Sequence, residues 1–100
     1  MFGPYDLMRA NQDHTAETDG IVVATVYIND EGPRVTIEGS VGGQRVASVT
    51  AHYWPREEGL CGRIRTNSMT FPVGQGKSWR VDEDHEFMGD YNVEVFWVSH

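Results

Sequence analysis

One hundred residues with a net charge of −7 and 39% hydrophobic content make a chain sized for one domain around one core. The lone Cys61 excludes an internal disulfide, on which small secreted folds usually rely, and the acidic balance disfavours sequence-independent binding to nucleic acid, which needs Lys and Arg to displace phosphate counterions. The first residues, MFGPYDLMRANQDHT, lack the basic start and apolar run of a signal peptide, and no stretch has the apolar length of a membrane helix, so the sequence reads as cytoplasmic with no membrane partner.

Residues 1–20 read as an N-terminal arm. Gly3-Pro4 ahead of YDLMRAN predicts at most a short helical turn, with Tyr5 and Met8 on one face, and the polar NQDHTAETDG that follows carries no apolar period. Such an arm stays ordered only when tied down, so Phe2, Tyr5, Leu7 and Met8 are expected to dock on their own domain or on a neighbouring copy, which leaves oligomerisation through the arm open.

Residues 21–100 read as a single all-β domain. Ile21–Ile28, IVVATVYI, is β-branched and apolar on both faces, which predicts a strand covered from two sides. After the break at Asn29–Pro33, RVTIEGSV alternates cleanly, Gly42-Gly43 forms a tight hairpin turn, and QRVASVTAHYW returns until Pro55 ends it. CGRIRTNSMTFPV then reads as two short strands broken around Thr66–Ser68. A short strand follows over Ser78–Val81, and DEDHEFMGD forms a turn into the last strand.

In that last strand, Tyr91, Val93, Val95 and Trp97 point one way, while Phe96 and Val98 make the other face apolar towards its end, where a cover is required. About six to seven strands at a spacing of roughly ten residues predict an antiparallel β-sandwich, with a small β-barrel as the second choice. The ending Gly89-x-Tyr91-x-Val93-x-Val95 resembles that of many immunoglobulin-like and fibronectin-like domains, so the expected shape is immunoglobulin-like in general outline; the Cys-Trp-Cys arrangement of true immunoglobulin domains is missing.

Chemistry-bearing patterns are sparse. Asp82-Glu83-Asp84-His85-Glu86 is the densest polar cluster, but an EF-hand counted from Asp82 would place Phe87 and Val93 where Gly and Glu are needed. A solvated, self-repelling turn that doubles as an electrostatic contact surface is the preferred reading. The four histidines lack metal-ligand spacing, Cys61 lacks a second cysteine, and the Gly-rich turns lack phosphate-loop spacing, so no catalytic residue, metal or cofactor is expected. Tyr53, Trp54 and Arg56 belong to the types that dominate interface energetics, and Tyr53 and Trp54 must face opposite ways on a strand, one to the core and one outward.

The expected role is therefore that of a small acidic protein-binding module without enzymatic activity. Its contact residues are Tyr53, Trp54, Arg56, Asp82, Glu83, Asp84, Phe96 and Val98. One form of this reading is an inhibitor, encoded by a phage or mobile element, that occupies the basic nucleic-acid-handling surface of a host complex without binding nucleic acid itself. The alternatives are a structural subunit of a virion or other repeating assembly, and a metal-dependent sugar-binding module or small enzyme.

Overall fold

The computed structural model describes residues 5–30, 32–53 and 63–100. These residues form nine strands: β1 (Tyr5–Met8), β2 (His14–Thr15), β3 (Gly20–Ile28), β4 (Arg34–Val41), β5 (Gln44–Tyr53), β6 (Arg63–Ile64), β7 (Thr66–Val73), β8 (Ser78–Glu86) and β9 (Tyr91–Ser99). They build two antiparallel sheets, β1-β9-β3-β7 and β2-β8-β4-β5-β6. The all-β, sandwich-like architecture expected from strand spacing is present.

The core lies between the sheets because the period-two pattern holds along every long strand. Val22, Ala24, Val26 and Ile28 of β3 and Val95 and Trp97 of β9 face Val35 and Ile37 of β4, Ala51 of β5, and Trp79 and Val81 of β8. Trp79 and Trp97 stack across the two sheets, with ring centroids 5.7 Å apart and planes 15° apart, as offset aromatic pairs favour. Gly39 admits Phe71 to this layer: a Cβ at position 39 would lie 2.2 Å from the Phe71 ring. The turn between β4 and β5 has Gly42 at φ +61° and Gly43 at φ +84°, the left-handed pair that a type I′ hairpin requires.

Four sequence expectations change. Tyr5–Met8 is a strand, pairing Tyr5 with Val98 and Met8 with Val95, because an unpaired edge of β9 offers ladder bonds that an isolated helical turn lacks. The described part of the arm thus docks on its own domain: Met8 packs on the core, whereas Leu7 remains 70% exposed, and Phe2 lies outside the described residues. Asn11, at φ +61°, then carries the chain across to the other sheet. Its N–H donates to Val81 O at 2.7 Å, its Oδ1 accepts from the Glu83 N–H at 3.0 Å, and its carbonyl accepts from Arg80 at 3.1 Å.

Asp82–Glu86 is likewise no turn. It is the second half of a nine-residue β8 whose ladder with β4 runs from Val41↔Trp79 to Arg34↔Glu86, so cations on β4 and β8 offset the repulsion that a turn would have relieved. The break before β7 falls at Arg65, earlier than Thr66–Ser68, where the chain leaves the edge of β5 and joins β3. Finally, among the described residues a second layer covers β3 on one face only. Its ladders with β7 and β9 make it central within its sheet, yet Ile21, Val23 and Thr25 are only half-buried and Tyr27 is exposed. Hydrogen bonding on both edges does not imply a layer on both faces.

Pro72 is placed consistently with this arrangement. The Ile28 N–H donates to Arg65 O, one step past the Tyr27↔Thr66 pair, so the even-numbered residues of β7 turn their backbone groups to the open edge. Pro72 falls on that edge and interrupts no ladder bond.

Candidate binding surfaces

The two outward faces of the sandwich differ sharply in chemistry. On the five-stranded sheet, cross-strand rows place Arg80, Asp82, Asp84 and Glu86 of β8 beside Arg34 and Glu38 of β4, with Arg45 of β5 beyond them. Three ion pairs tie this face together: Arg34–Glu86 at 3.0 Å, Arg45–Glu38 at 2.8 Å and Arg80–Asp82 at 2.6 Å. Asp82 and then Asp13 hold the Arg80 guanidinium above its ordinary range. All of these side chains are well exposed, so the pairs contribute little to stability and act mainly to lower local charge.

On the four-stranded sheet, the outward residues form rows of a different kind. Leu7 lies opposite Phe96, Phe96 opposite Val23, and Val23 opposite Thr70; the next row runs Val98, Ile21, Pro72. Towards the other end, Glu94, Thr25 and Ser68 are followed by Asn92, Tyr27 and Thr66. Among the described residues on these strands, Glu94 is the only outward-facing side chain with a formal charge. In a chain with 23% charged residues, a sheet face nearly without charge and carrying aliphatic and aromatic groups has the composition of an interface core.

The expected contact residues therefore fall in different places. Phe96 and Val98 lie on the weakly charged face; Phe96 is half-buried and Val98 is buried apart from the central core. Asp82 and Asp84 lie on the opposite, charged face, whereas Glu83 alternates inward, so one sequence cluster is divided between two environments. Tyr53 packs against the core, under Arg65, whose guanidinium carbon lies 4.7 Å from the ring centroid. Trp54 and Arg56, like Cys61, lie outside the described residues.

Glu83 helps to close the side of the sandwich where the arm crosses. There the Tyr91 hydroxyl is 2.9 Å from His85 Nδ1, and the two rings lie 5.2 Å apart. Burial first, then the charge of Glu83, pushes the Tyr91 hydroxyl above its ordinary value, which favours a neutral phenol and works against Tyr91 as a base or nucleophile. An open groove of about 640 Å³ beside it is lined by Met8–Asn11 and Tyr91–Glu94. Among the described residues, no three His, Cys, Asp or Glu side chains converge as metal ligands, and no helix is long and apolar enough to cross a membrane.

Sequence reasoning passed over two exposed apolar groups in the loop after β8. Phe87 is 62% and Met88 90% exposed. It also passed over Ile21 and Val23 as surface residues, although the apolar second face of IVVATVYI was their signal. Comparison with family models, curated proteins and solved structures finds no match.

Proposed function

We propose that this chain is a protein-binding module without enzymatic activity, and that its contact surface is the outer face of the β1-β9-β3-β7 sheet. The observation that carries this reading is the asymmetry of the sandwich: one outward face is laced with ion pairs, and the other presents Leu7, Ile21 and Val23, with Glu94 as its one charge among the described residues of these strands. Charge argues for a partner of different composition. Two copies of a chain at −7 repel as their rims approach, whereas a partner with Lys and Arg around an apolar surface is steered in. In its finer form this makes the chain an inhibitor, phage-encoded or carried by a mobile element, seated on a basic surface that otherwise holds nucleic acid.

The test is affinity capture from native-host extract with the wild type and with Val23→Arg, across a salt series. Substitution of the half-buried Val23 should abolish capture while leaving the fold intact, and salt should slow association. A partner retained equally by both proteins removes the face from consideration. Displacement of the captured partner by added DNA supports the finer form. A mass that rises with concentration in light scattering, and falls with Val23→Arg, would instead assign the face to self-assembly.

A further inference from the structure

We infer that the loop joining β8 to β9 is a separate protein-contact element, in which Phe87 and Met88 enter an apolar pocket bordered by Lys or Arg on a partner. It requires nothing from the sheet face described above.

The first observation is backbone strain at an aromatic residue. Phe87 sits at φ +72°, a left-handed conformation that bulky residues rarely adopt and that persists only where the surroundings impose it. Those surroundings are well defined. The Asp90 N–H donates to Asp30 Oδ2 at 2.9 Å, the Asn29 N–H donates to Asp90 O at 2.9 Å, and Asn29 Nδ2 donates to Asp90 Oδ2 at 3.1 Å. Gly89 follows at φ +148°, pressed so closely on Pro33 that a Cβ would lie 2.4 Å from Pro33 Cγ.

The second observation is where this scaffold points its side chains. Among the described residues Phe87 has one ring neighbour, His52, at a centroid distance of 6.5 Å, and Met88 has nine-tenths of its surface in solvent. A strained loop held by three hydrogen bonds that leaves its two apolar side chains outside gains no core from them. Preorganisation of an anchor is what such an arrangement supplies, since a partner need not order the loop on binding. Phe and Met are enriched in interface cores, and Met adapts to irregular pockets.

The third observation is charge. Asp30, Glu86 and Asp90 flank the two apolar groups, and among the described residues only Glu86 of the three is paired to a cation, Arg34. That setting suits a pocket rimmed by basic residues and disfavours anionic lipid.

The test pans a random dodecapeptide library on the folded chain, then measures the selected peptides against Met88→Ser, Phe87→Asn and Val23→Arg. We expect a class with apolar residues beside Lys or Arg whose affinity falls at least tenfold with either loop variant and is unchanged by Val23→Arg, which separates this element from the sheet face. Because Asn tolerates the left-handed conformation, Phe87→Asn should not lower the thermal midpoint. A midpoint lowered by more than about 5 °C would make Phe87 a structural residue. Selection of no such class, or of peptides that bind the loop variants as tightly as the wild type, overturns the assignment. Adsorption to phosphatidylcholine vesicles that Met88→Ser abolishes gives the loop to lipid instead.

Discussion

Val22 and Val23 are adjacent on β3 and identical in chemistry, and the structure assigns them opposite fates. Val22 is fully buried in the core, opposite Trp97 and Phe71, whereas Val23 is half-buried on the outer face, opposite Phe96 and Thr70. Replacing either by Thr keeps the β-branch and nearly the volume, and exchanges a methyl for a hydroxyl. At position 22 that hydroxyl enters an apolar cluster, and an uncompensated buried polar group costs about 1–3 kcal/mol. At position 23 water remains within reach and the change should stay within about 0.5 kcal/mol. For a domain of this size 1 kcal/mol shifts the midpoint by roughly 4–8 °C, so Val22→Thr should lower it by at least about 4 °C and Val23→Thr by no more than about 4 °C. Thermal unfolding followed by circular dichroism, at two protein concentrations, measures both. Equal losses at the two positions, independent of concentration, would show that the chain itself covers the outer face, and the one-sided reading of β3 would be wrong.

Gly39→Ala forces a Cβ into the Phe71 ring and should destabilise by about 1–3 kcal/mol, as overpacked cores do; Phe71→Leu in the same chain should recover part of the loss in urea titrations. Asn11→Ala removes the acceptor of the Glu83 amide while sparing the core, so hydrogen exchange should accelerate at Glu83 and at the paired residues of β1, with the central amides of β3 unchanged. Tyr91 contributes a pH dependence in the alkaline range. Its hydroxyl is raised in the folded chain, so the folded state holds the proton more tightly; that contribution is complete below about pH 10, the unfolded value, and is lost as pH rises through the higher folded value. Wild type should therefore lose midpoint more steeply above about pH 10 than Tyr91→Phe does, and parallel curves would count against the assignment.

The sequence by itself determined the strand-rich class, the inward residues of β4 and β9, and the Gly42-Gly43 hairpin. Alternation and turn chemistry are local properties, and local properties survive without knowledge of neighbours. The tertiary structure decided whatever depends on what lies alongside. Pro4 and the spacing of Tyr5 and Met8 favoured a helical turn until β9 offered them an edge, and Asp82–Glu86 resembled a repelling turn until β4 brought Arg34 across from Glu86. The same limit applies to the surfaces. IVVATVYI shows that both faces of a strand are apolar, but only the layering of the sheets tells which face is the core and which is left to a partner. Phe87 and Met88 carried no period at all, and only the backbone geometry around Gly89 and Pro33 turns them outward.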